Sequence, residues 1–397
     1  MGAEEVWTHW VDARRACAIL KVKRRTLYSY VSQGRIRSAP VPDSRERRYA
    51  IEDVMRLRDR ARARSGHGPV AANALDWGEP VLDTAVCAIT PDGPSYRGRL
   101  ATELARDDVP YEAVAGLLLD GALAERMWQP ESLPALPALP GKRLPRFLAR
   151  MAAWRAARER LSMADALGPA LIAPAVALLA DEPEVLAGGS VAEQMLAALG
   201  GRVTPRASAA TNRALVLCAE HELNASTFAA RVAASAGADP FAVVLAALST
   251  HTGGRHGGQS RHVGVLLEST SPERAEGTVR SWIRRGEMAS LPGFGHPLYA
   301  DGDPRGAFLL EEAEALAPRR KAVRTARALT EAASAAGYEP PNLDLGLTAL
   351  GHALGVGAEG AQAIFAVGRM AGWLAHAREQ RADGRILRPR ARYVGAL

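Results

Sequence analysis

The stretch GFGHPLYADGDPR, from Gly293 to Arg305, sets a lone histidine between a glycine and a proline and an arginine behind an Asp-Pro pair. Each part has an ordinary explanation. Glycine permits positive φ and close backbone approach, and Asp303-Pro304 is a common turn opener. Neither accounts for an imidazole, His296, and a guanidinium, Arg305, sharing one loop, and the reason has to come from the rest of the chain.

Composition narrows the field first. A chain of 397 residues exceeds what one ordinary core holds, so two or three domains are expected, and 48% apolar with 23% charged residues describes a folded globular protein. There is no N-terminal apolar segment of signal-peptide type and no uninterrupted apolar run long enough to cross a bilayer, so no membrane role and a cytoplasmic location are expected. Cys17, Cys87 and Cys218 show no CxxC spacing, which sets aside zinc ribbons and thioredoxin-like chemistry and leaves them as small core residues. His251, His256 and His262 have no nearby carboxylate or cysteine set, and His221-Glu222 lacks the second histidine of HExxH, so no metal site is implied. GGRHGG lacks the GK[ST] of a P-loop, and no GxGxxG follows a strand. His262, His352 and His376 read as structural.

The charge is unevenly placed. Residues 1–64 hold 16 Lys and Arg against 8 Asp and Glu, while the remainder holds 34 against 35. A small basic module joined to a nearly neutral body suggests a polyanionic partner for the module alone. Within it, DARRACAIL (Asp12 to Leu20) opens on a capping aspartate and carries apolar residues at helical spacing, and RTLYSYVSQG reads as a second short helix closed by Gly34. Arg35–Arg37 and Arg47–Ile51 read as short strands flanking the PVPDSRE turn, with a further helix from about Glu52. The stretch resembles winged helix-turn-helix domains of the MerR and excisionase type. That likeness implies a second helix entering the major groove of duplex DNA with Lys23, Arg24, Arg25, Tyr28 and Arg35 facing it, and Arg47 and Arg48 on the wing. The alternative is a basic helical domain that binds a protein or merely solvates its charge.

SGHGPVAAN (Ser65 to Asn73) lacks periodicity and marks a linker over 65–75. Beyond it the chain is alanine- and leucine-rich, and RFLARMAAWRAARERL (Arg146 to Leu161) and VAEQMLAALG (Val191 to Gly200) follow helical spacing, so the body is mainly α. The repeated prolines of LPALPALPGKRLP (Leu133 to Pro145) predict an extended connection.

Four stretches stand in order around the opening loop: ITPDGPSYRGRLATEL with YEAVAGLLLDG, EHELNASTFAARVAAS, GGRHGGQ, and, after the loop, PNLDLGL. Together they resemble the citrate synthase family, from about Leu82 through FAVGRMAGWLAHARE to LRPRARYVG. The resemblance implies an all-helical body with a large domain (76–220 and 330–397) and a small domain (221–329), preceded by the winged helix-turn-helix domain (1–64). It implies an acyltransferase that condenses acetyl-CoA or propionyl-CoA with oxaloacetate, needing neither metal nor prosthetic group. That chemistry requires a base for a weakly acidic methyl proton, a donor for the enolate oxygen and a donor for the ketone. By motif position these would be Asp344, His256 and His296. Arg305, Arg369 and Arg388 fall at the family's carboxylate-binding positions, with His221 as a further donor, and Arg388 would reach across a homodimer.

The same residues have plainer readings: Asp344 as a helix N-cap, Arg369 as an ion-pair former, Arg388 as a solvated cation. The chain also departs from the family. Ala300 stands where a basic residue usually helps hold CoA phosphate, Pro297 replaces a commonly basic residue, Ser260 and Arg261 replace asparagine and an acidic residue, and Arg255 replaces an apolar one. Three functions stay open: an active citrate or 2-methylcitrate synthase with a DNA-binding appendage, a transcription regulator whose synthase body senses oxaloacetate, citrate or an acyl-CoA, and an ordinary enzyme whose N-terminal module binds protein.

Overall fold

In a computed structural model, which describes residues 10–20, 22–33, 35–40, 47–51, 53–54, 57, 82–123, 128, 133, 139–157, 168–180, 189–254, 256–285, 291–299 and 301–389, the chain separates into two units, Met1–Asp83 and Thr84–Leu397. The linker expected at 65–75 lies outside the described residues, as do Gly34, Glu52, Arg255 and Ala300.

The first unit opens with β1 (Trp10–Val11) and α1 (Ala13–Leu20), which starts where Asp12 Oδ1 accepts the N–H of Arg15 at 2.7 Å. A short turn leads to α2 (Arg24–Ser32), followed by β2 (Ser38–Pro40) and β3 (Arg47–Ala50), in an antiparallel sheet of order β1-β3-β2. Val11, Ala16, Leu27, Ile36, Tyr49 and Val54 form its core. The first strand of the hairpin lies later than the expected Arg35–Arg37. At the edge of the ladder Arg37 gives its backbone N–H to the buried carboxylate of Asp53 at 2.9 Å and its Nε–H at 2.8 Å, while its carbonyl accepts the N–H of Ala50 at 3.0 Å; residue pairing with β3 runs from Ser38 to Pro40.

The second unit starts with a meander not expected from sequence: β4 (Cys87–Thr90), β5 (Gly93–Tyr96) and β6 (Arg99–Leu100). The turn between β5 and β6 has φ of 45° at Arg97 and 88° at Gly98, the two positive values that a tight hairpin turn requires. Helices then follow: α3 (Ala101–Arg106), α4 (Tyr111–Asp120), α5 (Arg143–Ala156), α6 (Gly168–Ala177), α7 (Val191–Ala198), α8 (Pro205–Cys218), α9 (Ala225–Ser235) and α10 (Pro240–His251). After these come α11 (Gln259–Ser269), α12 (Ala275–Arg285), α13 (Pro304–Leu316), α14 (Lys321–Ala335), α15 (Leu343–Ala353) and α16 (Gly357–Asp383). The expected extended connection ends at Lys142, because Pro145 falls in the first turn of α5, where no backbone N–H partner is lost. Among the described residues no helix is long and apolar enough to cross a membrane.

Two features of this packing position the site. Helix α16 runs through the core against α4, α5, α6, α8, α9, α10, α11 and α15, and is buried along most of its length. Its small residues make that possible: a Cβ on Gly372 would sit 2.5 Å from the carbonyl oxygen of Ala219. Helices α13 and α15 cross backbone to backbone. A Cβ on Gly306 would meet Asn342 O at 2.3 Å and one on Gly346 would meet Gly306 O at 2.2 Å, so glycine is required at both. That crossing brings the first turns of the two helices, with Arg305 and Asp344, to one place.

Candidate active site

The site is assembled from helix N-termini and the loops that feed them. Asp303 caps α13 through the N–H of Arg305 at 3.1 Å, Asn342 caps α15 through the N–H of Asp344 at 3.0 Å, and Asn224 caps α9 through Ser226 and Thr227, both at 3.1 Å. The loop before α13 is tied to the start of α15: Asn342 donates its backbone N–H to Gly293 O at 2.8 Å and its side-chain amide to Gly295 O at 2.9 Å. Gly293 and Gly295 both hold positive φ, 88° and 75°, a conformation that side chains rarely adopt. This is the structural reason for the glycines ahead of His296.

Three histidines gather there. The buried ring of His221 lies 5.1 Å from that of His296, centroid to centroid, and its Nε2 is hydrogen-bonded at 2.8 Å to the hydroxyl of Tyr299, whose ring is 4.9 Å from that of His296. His256 Nε2 is 2.8 Å from Ser226 Oγ, which accepts the indole N–H of Trp373 at 3.1 Å. Ser226 has one hydroxyl proton and two acceptors within its reach, Asn224 Oδ1 at 2.8 Å and His256 Nε2 at 2.8 Å. Given to His256 Nε2, that proton leaves the imidazole N–H on Nδ1. All three rings favour the neutral form. Burial and then Arg369 push His256 down to about 4, burial and then Arg305 push His296 down to about 4, and burial with Arg305 and Arg369 holds His221 well below its ordinary value. They are therefore hydrogen-bonding groups near neutral pH rather than cations.

Arg305 is buried and grips Asp303 side-on, Nε to Oδ1 at 2.9 Å and Nη2 to Oδ2 at 2.7 Å. Its Nη1 is buried with no partner. Arg369 is also buried, gives its Nε–H to Cys218 O at 2.5 Å and stacks 4.5 Å from the Phe365 ring centroid. Among the described residues no carboxylate pairs with it. A charge of this kind is costly unless an anion meets it, so the pocket has the electrostatics of an anion site.

Asp344 accepts the Ser260 hydroxyl on Oδ1 at 2.6 Å, and burial pushes its carboxyl up to about 6, opposed by Ser260. At neutral pH it is ionised yet a stronger base than an ordinary aspartate.

Of the residues singled out in the body, His221, His256, His296, Asp344, Arg305 and Arg369 therefore lie in this region, whereas Arg388 is exposed beyond the end of α16 and is not brought to it. His262 is exposed on α11, His352 is partly buried, and His376 is buried beside Glu220, with Nε2 3.3 Å from Oε1. Among the described residues no cluster of metal-ligating side chains occurs. Sequence reasoning missed Tyr299, Asp303, Ser226 and Trp373. The first two stand inside the opening loop, where Asp303 reads as a turn residue, and Ser226 stands in HELNAST. It also missed His251, buried and stacked on Phe365 at 4.5 Å, beside His256.

Comparison with known proteins shows the family of the chain. The model of the citrate synthase C-terminal domain matches residues 142–390. The chain belongs to the citrate synthase family. Citrate synthase 2 of Bacillus subtilis is 37% identical over 210 residues, 52% of this chain and 56% of that protein. The 2-methylcitrate synthase of Shewanella oneidensis is 37% identical over 186 residues, 46% of this chain and 49% of that protein. The chain thus matches about half the length of these curated relatives. Among solved structures, the ternary complex of citrate synthase from Thermoplasma acidophilum with carboxymethyl coenzyme A and oxaloacetate superposes with a TM-score of 0.70 at 25% identity, covering 80% of this chain and 94% of that one. The citrate synthase of Thermotoga maritima gives 0.70 at 27% identity, covering 81% and 95%. The structural likeness thus covers more of the chain than residues 142–390, which the family model matches.

Proposed function

We propose that the chain condenses an acyl-CoA, acetyl-CoA or propionyl-CoA, with oxaloacetate to give citrate or 2-methylcitrate and free CoA. The observation that carries this reading is the buried guanidinium of Arg369, which no carboxylate among the described residues pairs, together with the partnerless Nη1 of Arg305, three neutral imidazoles and a carboxyl at about 6. Oxaloacetate brings two carboxylates for the two arginines and a ketone for His296 or His221. Asp344 takes a proton from the carbon α to the thioester carbonyl, and His256 donates Nδ1–H to the enolate oxygen. The enolate carbon attacks the ketone carbon, whose oxygen gathers charge against His296. Water then hydrolyses the citryl thioester and releases CoA. Each imidazole acts as a donor already desolvated, which concentrates its effect on the transition state.

In this reading residues 221–329 form the small domain that closes over oxaloacetate, and Arg388 completes the site of a second subunit in a homodimer. The test is oxaloacetate-dependent release of CoA thiol from acetyl-CoA and propionyl-CoA in parallel. Turnover that His296→Ala and Asp344→Ala both abolish supports the reading, and the preferred thioester names the product. Oxaloacetate binding without thiol release supports instead a body that senses its ligand.

The N-terminal unit supports a second, additional function, binding of duplex DNA. What favours it is the helix-turn-helix of α1 and α2 beside the β2–β3 hairpin, with Lys23, Arg24, Arg25, Tyr28, Arg35 and Arg47 exposed and Arg48 half-buried on β3. Two such units on a dimer would ask for inverted half-sites. Duplex retention that weakens steeply with salt and is lost in an Arg24→Glu, Arg25→Glu variant supports it; salt-independent behaviour points to a protein partner.

A further inference from the structure

Ser260, the second residue of α11, is almost fully buried, and its hydroxyl donates to Asp344 Oδ1 at 2.6 Å. The helix begins three residues after His256, so one short segment supplies both the donor expected to hold the enolate oxygen and a partner for the expected base. The two oxygens of Asp344 are unequal. Oδ1 is committed to Ser260, while Oδ2 makes no hydrogen bond and is not sealed from solvent. The charged groups that bear on Asp344 are Asp303 and Arg305, from the segment entering α13; α11 faces it with Ser260, and α14 and α16, which also pack on α15, add no charged group to this set.

We propose that Ser260 is a positioning residue for Asp344: its hydroxyl fixes Oδ1 and leaves Oδ2 as the oxygen that takes the substrate proton. This rests on the condensation reading. A hydrogen bond to the charged carboxylate favours ionisation, so Ser260 also offsets part of the upward push of burial and of Asp303. A hydroxyl is suited to the task because it can rotate to follow the carboxylate as the proton arrives, without adding a charge that would weaken the base.

The experiment uses the full chain as wild type, Ser260→Ala and Ser260→Thr, with two readouts. The first is the titration of the Asp344 carboxyl carbon by 13C NMR, its signal assigned by its loss in Asp344→Asn. The midpoint is expected to rise by about half to one pH unit in Ser260→Ala and to return in Ser260→Thr. The second is thiol release against pH. Ser260→Ala is expected to lower kcat about tenfold, to leave KM for oxaloacetate within about twofold and to move the acid limb in the same direction as the NMR midpoint. An active wild type with Ser260→Ala unchanged in both readouts overturns the assignment of Ser260 alone. A wild type without turnover whose Asp344 signal still moves in Ser260→Ala overturns the condensation reading and leaves the coupling of the two residues standing.

Discussion

Replacing Asp344 by asparagine separates what the site costs the fold from what it does. A carboxyl whose ordinary value is 3.8 and whose folded value is about 6 binds its proton more tightly in the folded chain. Stability therefore falls as pH rises through this window, because the folded state must give up a proton that the unfolded state has already lost. The full penalty above the folded value is about 3 kcal/mol, at about 1.4 kcal/mol for each pH unit between the two. Asparagine keeps an acceptor for the Ser260 hydroxyl and carries no charge, so Asp344→Asn should stabilise the chain by about 3 kcal/mol at pH 8 and only about 1 kcal/mol at pH 4.5. Urea unfolding at the two pH values, with the same probe for both chains, measures the difference. A gain that is equal at both pH values, or a loss at pH 8, would refute the claim that this carboxylate is held in a desolvated, strained state of charge. Turnover should be absent in the variant at either pH, so that stability and activity move in opposite directions.

Three other perturbations probe the frame and the anion pocket. Gly346→Ala places a Cβ 2.2 Å from Gly306 O, against 3.4 Å or more in ordinary contact, so α13 and α15 must part; a loss of about 1–3 kcal/mol in denaturant unfolding and a kcat lowered about 100-fold are expected, and an unchanged melting temperature contradicts the packing. Tyr299→Phe removes the partner of buried His221 Nε2, which should cost about 1–2 kcal/mol of stability and weaken oxaloacetate binding measured by calorimetry. Arg369→Ala should weaken oxaloacetate at least about 100-fold with little loss of fold stability, since the folded chain offers that guanidinium no anion; a large stability loss with intact binding contradicts the assignment.

The legible part of the site is the part carried by unusual local sequence. His296, His256 and Asp344 each sit within two residues of a glycine, a proline or a capping asparagine, because tight backbone approach and helix starts demand those residues, and such demands show in a single sequence. The groups around them are invisible at that level. Ser226 meets His256, and Trp373 meets Ser226, only because α9 packs on α16, and Ser260 meets Asp344 only because α11 packs on α15. Asp303 reads as a turn residue, and its grip on Arg305 appears only once both are buried. The fold followed the same division. Helical periodicity located α5 and α7, while the β4–β6 meander, with strands of two to four residues, is too short to impose a periodic signal. In the N-terminal unit the first hairpin strand starts at Ser38 rather than Arg35, and the hydrogen bond from the Arg37 backbone to Asp53 is one that no strand propensity encodes.

The central claim is that a carbon–carbon bond forms at the carbon α to the thioester carbonyl. The direct measurement is 13C NMR of the full-length protein turning over acetyl-CoA labelled at that carbon, with oxaloacetate in excess and Asp344→Ala as control. The account predicts that the labelled methyl signal is replaced by a methylene signal of citrate in the wild type and persists in the control, with labelled propionyl-CoA giving the corresponding 2-methylcitrate signal if that thioester is preferred. Labelled acetyl-CoA and labelled propionyl-CoA that both survive unchanged, or that yield only the free acids, would contradict it.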